Sequence, residues 1–90
     1  MANSKSAKKR IRQNEVRRQR NVRVRTKVRS YINGFTNAIE AGDVEAAEER
    51  FKKVESELDR AVIKGVIPRK RASRRTGRLA RRLNELRAQA

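Results

Sequence analysis

Residues 41–68 read AGDVEAAEERFKKVESELDRAVIKGVIP, and their punctuation decides the fold class. Ala41-Gly42-Asp43 has the pattern of one helix ending and another starting at once. A Gly suits the left-handed position just past a helix C-terminus, and an Asp carboxylate suits an N-cap. Lys64-Gly65-Val66-Ile67-Pro68 repeats the stop, and Pro68, with its fixed φ and missing N–H, suits the first turn of a further helix. Between the two stops, Val44, Ala47, Phe51, Val54, Leu58, Ala61 and Val62 recur at spacings of three and four, which places them on one helical face. Asp43 and Glu45 stand at the amino end of this segment and Arg60 and Lys64 at its carboxyl end, each complementing the helix dipole. Glu48–Lys52 and Glu49–Lys53 have the favourable order for i, i+4 pairs. This middle helix is expected to be the most stable element of the chain.

Working outward, the segment after Pro68 carries Ala72, Thr76, Leu79, Leu83 and Leu86 at the same alternation of four and three. Gly77 interrupts it at a cost of about 1 kcal/mol relative to Ala. Before Gly42, a clean stripe runs from Val24 through Val28, Tyr31, Ile32, Phe35, Ala38 and Ile39. Upstream of Val24 the apolar residues Ile11, Val16 and Val22 scatter around the helix and do not continue the stripe, so core packing cannot order that half. Asn33-Gly34 could mark a hairpin, but no alternating strand patterns flank it. A lone Gly inside a helix is the cheaper reading.

Three helices are therefore expected near residues 6–41, 44–64 and 68–88. The fold class is all-α: a three-helix antiparallel bundle, up-down-up, with one narrow core fed by three stripes. At 1.5 Å per residue the first helix is about 50 Å long and the second about 30 Å. The first must project beyond the bundle. Ninety residues suffice for one domain, divided into a basic arm over 1–23 and the bundle over 24–88.

Composition sets the chemistry. Charged residues are 40% of the chain and hydrophobic ones 36%, with one Tyr, two Phe and no Trp. Such a core is thin and built from Val, Ile, Leu and Ala. The net charge is +16, so the compact state repels itself until a polyanion neutralises it. Without Cys or His there is no disulfide framework, no thiolate or imidazole metal site, and neither the commonest general base nor a thiol nucleophile. No apolar run is long enough to span a bilayer. The start is basic but lacks the apolar stretch of a secretory signal, and removal of an Arg-rich transit segment would discard over a quarter of the chain. The absence of Cys fits a reducing cytosol.

Charge also divides the chain. Residues 1–39 hold twelve basic side chains and one acid, Glu15; residues 40–65 hold five basic and eight acidic; residues 66–90 hold nine basic and one acid, Glu85. Two basic arms thus flank a mildly acidic middle. The candidate interface comprises Lys5, Lys8, Lys9, Arg10, Arg12, Arg17, Arg18, Arg20, Arg23 and Arg25 in the first arm. Arg69, Lys70, Arg71, Arg74, Arg75, Arg78, Arg81 and Arg82 form the second. A solvated face normally mixes both signs, whereas these clusters carry one sign and surround the helix, which points to a polyanion. Arginine predominates in both arms, and a planar guanidinium grips phosphate with two hydrogen bonds and stacks on unpaired bases, as folded RNA requires. Gln13, Asn14, Gln19 and Asn21 could reach sugar hydroxyls or base edges, or could simply fill the helix surface. The scarcity of aromatic residues argues against a base-stacking sheet or OB platform. The arm, lacking a buried face, is marginal as an isolated helix and is expected to gain helix on RNA.

Glu45, Glu48 and Glu49 invite a metal or acid–base reading, but their places at a helix start and beside lysines account for them. A basic leucine zipper would need a stripe of three or four heptads, whereas this one ends at Gly42 after about two. A membrane-surface helix would need large apolar side chains opposite its charges, and Ile11, Val16 and Val22 are scattered.

The opening Met1-Ala2-Asn3-Ser4-Lys5-Ser6-Ala7-Lys8-Lys9-Arg10-Ile11-Arg12-Gln13-Asn14-Glu15 resembles the start of the S twenty family of bacterial small-subunit ribosomal proteins. Ala38-Ile39-Glu40-Ala41-Gly42-Asp43 resembles that family's first turn. Lys64-Gly65-Val66-Ile67, with the later Leu79-Ala80-Arg81-Arg82-Leu83-Asn84, is similar to its third helix. The resemblance runs from end to end. It implies a three-helix bundle with a long first helix, bound directly to small-subunit ribosomal RNA during early assembly in the cytoplasm, with no enzymatic activity, cofactor, metal or small-molecule substrate. Contacts with other small-subunit ribosomal proteins are compatible with it, although no residue pattern points to one. The family often continues Gly-x-Ile with a His and an Asn nearby, whereas here Pro68-Arg69-Lys70-Arg71 follow Ile67.

Overall fold

The computed structural model describes residues 5–90. Three helices make up the described chain, with no strand: α1 over Lys5–Glu40, α2 over Val44–Ile63 and α3 over Arg69–Gln89. The expected boundaries agree to within about a residue. Residues 1–4 of the expected arm lie outside the described residues.

Both turns follow from the glycines. Gly42 and Gly65 have φ of +71° and +74°, the left-handed region that an L side chain enters only with strain. In the first turn, Gly42 N donates to the Ile39 carbonyl and Asp43 N to the Ala38 carbonyl, each at 3.1 Å. In the second, Gly65 N donates to Val62 O and Val66 N to Ala61 O, each at 2.9 Å. These are paired Schellman bonds, and they satisfy carbonyls that a helix end would otherwise orphan. The Asp43 carboxylate caps α2 by accepting from Ala46 N at 3.1 Å.

Two details differ from expectation. Pro68 is the N-cap of α3, with extended φ/ψ, and the helix begins one residue later. Val66, read from sequence as loop, is 6% exposed, because the Schellman turn folds the residue after Gly65 back onto the helix end.

The core draws on all three stripes. Val28, Ile32, Phe35 and Ala38 of α1 meet Ala47, Val54, Leu58 and Ala61 of α2 and Ala72, Leu79 and Leu83 of α3. Phe35 is fully buried and its ring lies 5.7 Å from that of Phe51, tilted by 50°, a favourable aromatic geometry. Helix α2 packs extensively against both neighbours, whereas α1 and α3 barely meet. Helices joined by such short turns run antiparallel. The α1–α2 seam accordingly pairs Lys27 with Glu57 and Gly34 with Arg50, and the α2–α3 seam pairs Glu48 with Arg87. The radius of gyration is 17.9 Å, against about 12 Å for a compact chain of this length. The molecule measures 64 × 21 × 14 Å. Its excess length is the unpartnered half of α1.

Candidate nucleic-acid interface

The register of the α1–α2 seam sets where the arm begins. Lys27 faces Glu57 and Gly34 faces Arg50, so α2 runs out near Asn21. Upstream of that point residues 8–20 are all exposed, including Ile11 at 67% and Val16 at 61%. Continuing the core line of α1 backward from Val28 and Val24 in steps of three and four gives Asn21, Arg17, Asn14 and Arg10. The face that packs on α2 within the bundle thus becomes Asn and Arg beyond it. Asn21 stands at the junction, and its buried Oδ1 has no hydrogen-bond partner. Gln19 bonds Glu15 at 3.5 Å, which spends its amide on a helix-surface contact.

Each cation of the candidate set is exposed. Among the described residues only Arg18 of that set has a carboxylate close by, Glu15 at 4.0 Å, with both side chains more than half exposed. A pair so solvated holds the guanidinium weakly. At 100° per residue, Lys5 to Arg25 fall on every side of α1, and the arm presents positive charge all round.

Tertiary structure joins the two arms. α3 begins at the end of the bundle from which α1 projects, and one cleft is lined by Arg25 and Arg29 of α1 with Arg71 and Arg75 of α3, over a floor of Val28 and Ile67. Arg29 is not among the candidates of the first arm because it sits between Val28 and Tyr31, inside the apolar stripe. Only the helix–helix register reveals it. Arg74, Arg78, Arg81 and Arg82 are exposed elsewhere along α3.

The acidic middle serves packing. Glu48 accepts from Arg87 Nε at 2.8 Å, and no Glu48–Lys52 or Glu49–Lys53 ion pair closes among the described residues. The expected local pair for Glu48 yields to a cross-helix one, since Arg87 projects over the α2–α3 seam while the lysines remain in water. Glu57, with its side chain 12% exposed, takes Lys27 at 3.6 Å and Arg60 at 3.2 Å. Sequence reading did not single it out, although it falls between core positions Val54 and Leu58 and Ala61. Among the described residues, no three His, Cys, Asp or Glu side chains are placed to hold a metal ion, and no helix is long and apolar enough to cross a membrane.

Known proteins match this pattern throughout its length. The family model described as ribosomal protein S20 matches residues 2–84. The chain belongs to the ribosomal protein S20 family. It is 49% identical over 86 residues to small ribosomal subunit protein bS20 of Gluconobacter oxydans, covering 96% of this chain and 97% of that one. The bS20 of Cutibacterium acnes is 43% identical and that of Shewanella woodyi 48%, each over 88 residues, 98% of this chain and 100% of the relative. Membership in the S20 family makes this a structural protein of the ribosome and not an enzyme. The fold expected from the S20 resemblance, with its long first helix, is the fold observed.

Proposed function

We propose that this protein binds small-subunit ribosomal RNA directly, through the phosphate backbone, and stabilises the folded RNA as the subunit assembles. The observation that carries the reading is the projecting half of α1: exposed on all sides, devoid of a buried stripe, and bearing cations with almost no carboxylate near them. A bare helix of this kind gains from polyanion contact what it lacks in packing. The residues assigned to the contact are those of the arm, Lys5 to Arg25, and those of α3, Arg69 to Arg82. Because the arms meet at one end of a thin bundle, they can engage RNA segments on two sides of it. Any other small-subunit protein would meet what the RNA leaves uncovered.

The test is a salt series of binding to small-subunit ribosomal RNA, with excess transfer RNA and duplex DNA as competitors. Affinity for any polyanion falls with salt as counterions are released, so the competitors decide. Retention on ribosomal RNA at physiological salt, with both competitors failing, is the expected result. Equal displacement by duplex DNA would make the protein a general polyanion binder and overturn the reading.

A further inference from the structure

The three helix–helix seams are not alike. Where α1 meets α2, Lys27 faces Glu57; where α2 meets α3, Arg87 faces Glu48. Where α1 meets α3, Arg25 and Arg29 face Arg71 and Arg75, and no acid lines the cleft. Each helix contributes an i, i+4 pair of like charges, unfavourable even on a single helix. The α1–α3 seam places two such pairs opposite one another. Apolar contact does little to offset this, since α1 and α3 barely meet and the floor of the cleft is Val28 and Ile67. A further positive contribution comes from the amino end of α3: Pro68 provides no side-chain cap and the first turn has no acid, which leaves the dipole there uncompensated.

We infer that this notch is a phosphate site, and that the anion it takes is what closes α3 onto α1. Four guanidiniums around an apolar floor present forked donors suited to the oxygens of one multiply charged oxyanion. The cleft encloses about 240 Å³, below the ~300–1,000 Å³ of typical organic-ligand sites and suited to a phosphate or diphosphate group. That group can come from the RNA backbone or from a free oligophosphate; the recognition chemistry is the same. Occupancy converts the one repulsive seam of the bundle into an attractive one, so folding and anion binding are linked. The inference goes beyond direct RNA binding by these arms, and it names Arg29 as a participant.

Its test needs no RNA at first, so its failure is separable from failure of the ribosomal RNA reading. The melting midpoint of the full chain is measured in inorganic pyrophosphate and in sodium chloride of matched ionic strength. Wild type is compared with Arg29→Gln/Arg75→Gln and with a control of equal charge, Arg74→Gln/Arg78→Gln. A site filled at ten times its dissociation constant raises the wild-type midpoint by roughly 6–11 °C. The notch variant loses most of that shift and melts above wild type in sodium chloride, because its repulsion has been relieved. The control keeps the shift. Equal pyrophosphate shifts in the notch variant and the control would overturn the inference, as would no shift in wild type. Repeating the titration with saturating ribosomal RNA separates the sources: abolition of the pyrophosphate shift assigns the notch to a backbone phosphate, and its persistence assigns a free oligophosphate.

Discussion

Reversal of two arm charges, Arg17→Glu/Arg18→Glu, is the sharpest way to ask whether position or mere net charge governs RNA binding. Its partner experiment is Lys52→Glu/Lys53→Glu, since each double variant lowers the net charge from +16 to +12. Arg17 and Arg18 lie on the unpartnered half of α1, Arg18 with its side chain 78% exposed. Lys52 and Lys53 are exposed on α2, the acidic middle of the molecule. Each phosphate contact contributes a slope of about 0.7 to 0.9 in log K against log salt. Loss of two contacts therefore flattens the slope by about 1.4 to 1.8, and between 1 M and 0.15 M salt this amounts to roughly 15- to 30-fold in affinity. The introduced carboxylates add repulsion to that loss. For the lysine pair only the long-range field changes, and a screening length of about 8 Å in physiological salt limits the effect to about threefold. Fluorescence anisotropy with labelled small-subunit ribosomal RNA, from 50 to 400 mM salt, reads both affinity and slope. Equal losses and equal slopes in the two variants would refute the reasoning, because net charge alone would then suffice.

The bundle and its projecting arm lead to four further outcomes. Phe35→Ala, which empties a fully buried site beside Phe51, should cost about 3–5 kcal/mol, a large share of the roughly 5–13 kcal/mol available to 90 residues; a urea titration showing a loss under 1 kcal/mol would count against the core assignment. Gly65→Ala meets no atom within 4 Å but keeps φ at +74°, so its cost is backbone strain alone, about 1–2 kcal/mol, and Gly77→Ala, in the middle of α3 with open space around it, should instead stabilise by about 0.5–1 kcal/mol. Thermal melts of the two variants should move in opposite directions. Circular dichroism should show helix content rising when RNA is added, since residues 8–20 have no buried face to hold them in water; identical content in free and bound protein would exclude coupled folding of the arm.

Much of the architecture was legible because its signals are local. Helix stops at Gly42 and Gly65 reflect a steric property of the glycines themselves, and the stripes that alternate three and four report a buried face whatever that face packs against. Pro68 was displaced by one residue because its ring suits the N-cap and the first helical position alike. The basic arms were legible for a similar reason: single-sign charge is visible without knowing the fold, and in the first arm so is the absence of a buried stripe.

Sequence by itself determined the three helices, the apolar face of each, and the failure of that face upstream of Val24, since each depends on residues within a few turns of one another. Tertiary structure decided everything that depends on which helix faces which. It took Glu48 from its local lysine and gave it to Arg87, and it set Glu57 against Lys27. It also brought Arg25 and Arg29 against Arg71 and Arg75. Those pairings cross long stretches of chain, and their register comes from the packing of α1 and α3 on α2, which no local pattern encodes.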